Sequence, residues 1–366
     1  MSGAWGSIPH MTTPSIKLTR SPLAPTPMEL DAQQDAAVSH RGSPLLIAGG
    51  PGTGKTSVLI AAAVSRIKAG QDPDSILLLT YGRQRASELR DAIALRTTST
   101  MHEPLARTFH SLAYSILKMN SGDSYHEPIL LSGPEQENFI EQLLQGDVED
   151  GYRQWPDDLH DGEDKKGNPL LTQGFIRELR DLIMRANERG ITPEELATRG
   201  ERVNEKYWAP AADFWKRYKE VMAIREDTAG DAKMRIDPSE LINVAIAYLQ
   251  KNEKLRAQLQ ARFATIMVDE FQESDPAQRK LLDLLSGPDL VIAYDADSSV
   301  GRFRGADPDG LKQVVDSYLE KGATQILLQN SYRCRPEIFE IGQKVTSAFR
   351  APSPTRTRTC SYSAKP

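Results

Sequence analysis

The sequence predicts an α/β fold, a parallel sheet carrying an inserted helical subdomain. Three observations carry this: short apolar runs alternate with helical patterns, the first run opens into a glycine-rich turn, and residues 120 to 236 or so show helical periodicity. Leu45 to Ala48, Ile76 to Thr80, Thr265 to Val268, Leu290 to Tyr294 and Gln325 to Leu328 are the apolar runs, bounded by turn residues or charge. Continuous apolar runs of this length suit strands covered on both faces, and helical stretches follow most of them, which is the pattern of a parallel sheet.

The chain divides in order. Residues 1 to 27 are rich in Ser, Thr, Pro and Gly without a period and predict a disordered tail. Residues 28 to 119 form the first part of the α/β domain, 120 to 236 the helical insert, 237 to 348 the second part, and 349 to 366 a second tail. Within the insert, Phe175, Ile176, Leu179, Leu182, Ile183 and Ala186 recur at helical spacing after Thr172 and stop at Gly190. Thr192-Pro193-Glu194-Glu195 and Asp237-Pro238-Ser239-Glu240 read as capping-box starts, and Asp157 to Asp164 as an acidic loop.

Composition narrows the class. With 366 residues, two or three domains are expected; 39% hydrophobic and 26% charged residues exclude global disorder and fibrous sequence. No run approaches about 18 apolar residues and the N-terminus has no apolar core segment, so neither a membrane span nor a secretory signal is expected. Two cysteines, Cys334 and Cys360, are too few for a disulfide framework or a four-ligand zinc site, which suits a reducing interior and a cytoplasmic location. A net charge of -5 excludes a uniformly basic binder but leaves room for a local basic groove.

Gly49-Gly50-Pro51-Gly52-Thr53-Gly54-Lys55-Thr56 fits G-x-x-x-x-G-K-[ST] directly after an apolar strand and before a helical run. The spacing suits its chemistry: glycines let the backbone close around phosphates, Lys55 reaches the β and γ oxygens of ATP, and the Thr56 hydroxyl ligates Mg²⁺. The plainer alternative is a glycine-rich turn. Thr265 to Val268 ends in Asp269-Glu270, the second half of such a site, with Asp269 for Mg²⁺ and Glu270 as the base that polarises the attacking water. Alone, that pair would read as exposed strand-end acids. Over 200 residues separate Lys55 from Asp269, an excess that the inserted helices absorb.

In order, LDAQQDAAV (30 to 38), GGPGTGKT (49 to 56), LLTYGRQRASEL (78 to 89), ARTFHSLAYSIL (106 to 117), VDEFQESDPAQ (268 to 278), AYDADSSVGRFRGAD (293 to 307) and LQNSYRCRPEI (328 to 338) resemble the seven leading motifs of UvrD/PcrA/Rep-type superfamily-1 DNA helicases. The spacing is also similar to actinobacterial relatives of the AdnA type. The resemblance spans residues 29 to 345 and implies a RecA-like P-loop NTPase domain, the N-terminal motor half of an ATP-dependent DNA helicase. It implies that Gln34 reads the adenine edge, Tyr332 stacks on adenine, Arg333 touches the γ-phosphate, and Gln272 couples ATP to DNA. Thr80, Tyr81, Phe109, His110, Phe303 and Arg304 match positions that contact single-stranded DNA or a single-strand/duplex junction. Aromatics beside arginines at strand ends suit such contacts independently, since stacking is worth about 1 to 3 kcal/mol per base whatever the sequence. The alternatives stay open here: a polar helix residue for Gln34, a surface arginine for Arg333, core aromatics for Phe109 and Phe303, a helix cap for His110.

Departures qualify the resemblance. Ser298 stands where the family has a γ-phosphate-sensing glutamine, Gly301 where it has a stacking tyrosine, and Ser57 where an arginine often packs on adenine. The family's second motor domain, with its transition-state arginine, is not found before Pro366, and such an arginine is worth about 10³ to 10⁵ in rate. Two functions are therefore expected to compete: a helicase motor half, nearly inactive alone, and a non-hydrolysing, nucleotide-dependent DNA-binding or assembly module, acting alone or with a partner helicase subunit. An unrelated P-loop NTPase is a third reading.

Overall fold

The computed structural model describes residues 29–98, 101–119, 128–159, 168–228, 235–301, 306–347 and 359–360. The expected tail 1 to 27 and most of the acidic loop lie outside these; of that loop, Asp157–Leu159 form a single 3-10 turn. Among the described residues the strands are β1 (Leu45–Gly49), β2 (Ile76–Thr80), β3 (Ala106–Thr108), β4 (Ile129–Leu130), β5 (Arg235–Ile236), β6 (Thr265–Val268), β7 (Asp289–Tyr294), β8 (Thr324–Leu328), β9 (Asn330–Ser331) and β10 (Thr359–Cys360). Six form one sheet in the order β3-β2-β6-β7-β1-β8, parallel throughout. The five predicted runs are all present, and β3 joins them at one edge. β9 and β10 pair in parallel, Thr359 with Asn330 and Cys360 with Ser331, so two residues of the segment expected to be a C-terminal tail are strand.

The apolar runs build two cores at once because successive side chains of a strand face opposite ways. On one face Leu45 and Ile47, Ile76 and Leu78, Met267, Val291 and Ala293 pack beneath α1 (Ala32–Ser39), α2 (Lys55–Lys68) and α3 (Arg83–Ala94). Leu46 and Ala48, Leu77 and Leu79, Ile266 and Val268, Leu290 and Ile292 face α4 (Phe109–Met119) and helices from later in the chain. A third core is made by α5 (Gly133–Glu149), α6 (Gln173–Glu188), α7 (Pro193–Val203) and α8 (Trp208–Thr228), where Trp155, Phe214 and Trp215 pack with Ile140, Leu144, Ile176 and Leu179. The chain then returns through α9 (Leu241–Lys251), α10 (Glu253–Arg262), α11 (Pro276–Leu285), α12 (Pro308–Glu320) and α13 (Pro336–Ser347).

Local sequence explains the helix ends. Thr172 caps α6 by accepting from the Phe175 N–H, and Gly190 follows the helix at a φ of +64°. Thr192 and Glu195 form the predicted capping box of α7. The second predicted box is corrected. Asp237 accepts from the N–H and hydroxyl of Ser239, two residues on, and this turn delays α9 to Leu241.

Candidate functional site

Because the sheet is parallel, β1, β6 and β7 deliver their carboxyl ends side by side, and each end carries one part of the site. The turn after β1 contains Gly49, Gly50, Pro51, Gly52, Thr53, Gly54, Lys55 and Thr56. Gly52 and Gly54 take φ of +78° and +85°, a left-handed conformation that a side chain would strain. Packing adds a second reason: a Cβ at Gly52 would lie 2.6 Å from Arg333 Cβ and 2.7 Å from Ser331 Oγ, and one at Gly54 would lie 2.6 Å from Gln34 Nε2. The Thr53 hydroxyl donates to the Gly50 carbonyl at 2.9 Å. Lys55, buried at the start of α2, donates to the carbonyls of Gly49 (2.8 Å) and Gly50 (3.1 Å), with the Asp295 carboxylate 3.9 Å away.

The Thr56 hydroxyl meets both carboxylate oxygens of Asp269 at 3.1 and 3.2 Å, across 213 residues of chain. Asp269 is fully buried; burial raises its pKa, the neighbouring Glu270 raises it further, and Arg85 opposes them. Arg85, on the first turn of α3, donates from Nη2 to Thr56 Oγ1 at 2.8 Å and stands with Nε 3.4 Å from Asp269. A hydroxyl and a carboxylate suit a hard divalent cation. Mg²⁺ takes one or two carboxylates plus substrate phosphates and waters, so it needs no cage, and among the described residues no three or more His, Cys, Asp or Glu are grouped so as to hold a metal by themselves.

Glu270 is one of two described non-glycine residues at positive φ, +55°. It is fixed there from both sides: its carbonyl accepts from the Glu273 N–H, and its carboxylate accepts from Gln272 Nε2 at 2.6 Å. Gln272, 1% exposed, uses its other amide atom to accept from the Asp295 N–H at 2.9 Å. One amide thus bridges the ends of β6 and β7 and helps to hold Glu270 in a conformation that costs a non-glycine residue about 1 to 3 kcal/mol.

The segment 330–333 closes the other side. Tyr332 N–H donates to the Gly52 carbonyl (2.9 Å), Ser331 Oγ to the Pro51 carbonyl (3.0 Å), and the Tyr332 hydroxyl to Asp31 (2.6 Å). Arg333 is exposed beside Gly52.

Three of the expected contact residues are buried in this structure. Gln34 presents no free amide edge: it is buried, with Oε1 accepting from the Asp31 N–H in the capping box of α1 and Nε2 donating to the Thr53 carbonyl at 2.9 Å. It tethers the phosphate loop. Thr80 is buried at the end of β2 because it pairs with Thr108 of β3. Phe109 is 1% exposed, its ring 5.4 Å from that of half-buried Tyr81, because the first turn of α4 seats it in the core. His110, next to it, is exposed. Phe303 and Arg304 lie outside the described residues.

Sequence reasoning missed Asp31 and Arg85 as parts of the site. Asp31-x-x-Gln34 is a capping-box pattern and could have been read as one; Arg85 gives no signal, since only the fold turns its side chain toward Asp269.

Residues 30–318 match the UvrD/REP helicase N-terminal domain. Among curated proteins the chain is similar to DNA helicase II of Salmonella typhimurium, 24% identical over 314 residues, covering 84% of this chain and 39% of that protein. It is 27% identical over 344 residues to the ATP-dependent DNA helicase UvrD1 of Mycobacterium tuberculosis (88% and 40%) and 26% over 328 residues to UvrD2 of the same species (87% and 43%). The chain therefore spans about two fifths of the length of these relatives. Among the described residues no helix is long and apolar enough to cross a membrane.

Proposed function

Since the chain belongs to the UvrD/REP helicase family, matching its N-terminal domain, we propose that it binds ATP with Mg²⁺ and couples nucleotide turnover to movement on single-stranded DNA. The observation that carries this is the convergence of Lys55, Thr56, Asp269 and Glu270 on one edge of the sheet, with Gln272 joining Glu270 to Asp295.

In this reading Lys55 exchanges its two loop carbonyls for the β and γ oxygens, and the N-terminus of α2 adds its dipole. Thr56 and Asp269 hold the metal. Mg²⁺, when bound between them, would supply positive charge that offsets the charge of the departing phosphoryl group. Glu270, oriented by Gln272, takes the proton of the water that attacks the γ-phosphorus. Tyr332 and Arg333 meet the nucleotide from the far side of the loop, which fits the Tyr332 N–H bond to the Gly52 carbonyl, the position of Arg333 beside Gly52 and the bond of neighbouring Ser331 to Pro51. The strand follows the carboxyl ends of β2 and β3, where Tyr81 and His110 stand with the exposed Arg83. Residues 120 to 236 act as an inserted subdomain.

Calorimetry tests the nucleotide site. Lys55→Ala should weaken nucleotide binding by roughly tenfold or more, about 1.4 kcal/mol, and equal affinity for variant and parent would sink the reading. Assayed alone, these 366 residues should turn over far below helicase rates, since an arginine supplied from elsewhere is worth about 10³ to 10⁵. Turnover of several per second, abolished by Glu270→Gln, would overturn that part.

A further inference from the structure

We propose that the Arg85 guanidinium holds the divalent-cation position of the nucleotide site in the metal-free chain and must leave it for Mg²⁺ to bind. The proposal rests on the nucleotide-site reading above and adds a residue that neither the phosphate-loop pattern nor the strand-end acid pair includes.

The Thr56 hydroxyl gives its proton toward Asp269 and accepts from Arg85 Nη2 at 2.8 Å, so its proton and one of its two lone pairs are engaged. Arg85 Nε lies 3.4 Å from Asp269 on the same side. One guanidinium therefore touches both protein ligands expected of the metal. Electrostatics gives it a reason to be there: Asp269 is fully buried with Glu270 next in sequence, and Lys55, the other nearby cation, is turned onto the loop carbonyls and Asp295. Two adjacent carboxylates at a strand end need a positive partner, which Arg85 supplies at single charge.

A divalent ion supplies more charge at shorter range, and it and the guanidinium repel each other, so the two exclude one another. Arg85 also has a way out. Its side chain is 38% exposed, and Nη1 already lies 3.3 Å from Glu88, one turn along α3 and half exposed. Swinging to Glu88 keeps the arginine ion-paired while freeing Thr56 and Asp269.

The test titrates Mg²⁺ against the full chain at fixed concentration of a ribose-labelled fluorescent ATP, for the parent, Arg85→Ala and Arg85→Lys. Arg85→Ala should lower the half-saturating Mg²⁺ concentration by roughly tenfold, the worth of the charge-assisted hydrogen bond that the metal no longer displaces. Arg85→Lys, charged but without the fork, should fall between. Melting in EDTA without nucleotide gives an independent readout: Arg85→Ala should melt several degrees lower than the parent, and Mg²⁺ alone should stabilise it more. An unchanged or raised Mg²⁺ requirement in Arg85→Ala would overturn the proposal; a raised one would make Arg85 a phosphate contact instead. If the parent binds no nucleotide at any Mg²⁺ concentration, the nucleotide-site reading fails, and the metal-only melts still decide: equal Mg²⁺ stabilisation of parent and Arg85→Ala refutes the exchange.

Discussion

Replacing Gly52 by alanine should separate two segments without unfolding the protein. At φ +78° an alanine costs about 1 to 2 kcal/mol in the left-handed region. Its Cβ would also sit 2.6 Å from Arg333 Cβ and 2.7 Å from Ser331 Oγ, and overpacking of this kind costs about 1 to 3 kcal/mol. The junction it strains is held by two described hydrogen bonds, Tyr332 N–H to Gly52 and Ser331 Oγ to Pro51, worth about 0.5 to 1.5 kcal/mol each. Lifting residues 331–333 off the loop leaves the φ cost in place but removes the overpacking, which matches what the two hydrogen bonds supply, so the variant loosens the junction. Hydrogen exchange reads this directly: the Tyr332 amide should exchange at least about tenfold faster, while strand amides of β1 and β7 keep their protection. Nucleotide affinity should drop with it, since Tyr332 and Arg333 are displaced together. An unchanged Tyr332 amide, or loss of protection throughout the sheet, would refute this reasoning.

Phe109→Ala should destabilise the chain by about 3 to 5 kcal/mol as a buried aromatic truncation, and Phe109→Leu by less than about 1.5 kcal/mol. Calorimetric melting measures both; a leucine variant of parental stability that has lost single-stranded DNA binding would return Phe109 to the DNA track. Gln34→Ala removes the tether to Thr53 and half of the capping box, so ATP and GTP binding should weaken alike, by about 1 to 3 kcal/mol. Selective loss of ATP would show that Gln34 reads the base. Burial, reinforced by Asp275, pushes the Glu188 carboxyl up to about 7. The folded chain then binds a proton that the unfolded chain releases near pH 4.5, so stability falls as pH rises from about 5 to 7. Melting temperatures across that window should decline in the parent and decline less steeply in Glu188→Gln, since Asp275, which burial also pushes up to about 7, keeps its own share of the slope; parallel slopes would remove Glu188 from the account.

The parts of the fold with a strong local signature were legible in the sequence. Four- and five-residue runs, largely apolar, located five of the six sheet strands, because burial in the sheet leaves few polar residues in them. β3 escaped because Ala-Arg-Thr is short, lies at an edge and has a charged centre. In the site, the phosphate loop and Asp269-Glu270 are contiguous patterns and were visible. Whether a matching side chain faces outward was not. Gln34 and Phe109 sit in the right motifs, yet a capping box turns one inward and the helical phase of α4 buries the other. Arg85 and Asp31 act through residues 184 and 301 positions away, and no single sequence displays such partnerships.

The position of β1 also bears on how the chain is made. This strand, which leads into the phosphate loop, pairs only with β7 and β8, Leu45 with Val291 on one side and Thr324 on the other. On a ribosome adding about 5 to 20 residues per second, neither partner exists for roughly ten to fifty seconds after Leu45 is joined. Throughout that interval Leu45-Leu46-Ile47-Ala48 is a wholly apolar strand with both edges open, the kind of segment that recruits foreign strands. The α5–α8 core, drawn from one contiguous stretch, can close in the meantime, whereas the cluster at the ends of β1, β6 and β7 cannot be complete until β7 arrives. A nascent chain stalled before residue 289 should thus carry a folded helical unit and an unpaired phosphate-loop strand, and should depend on chaperones that cover apolar segments.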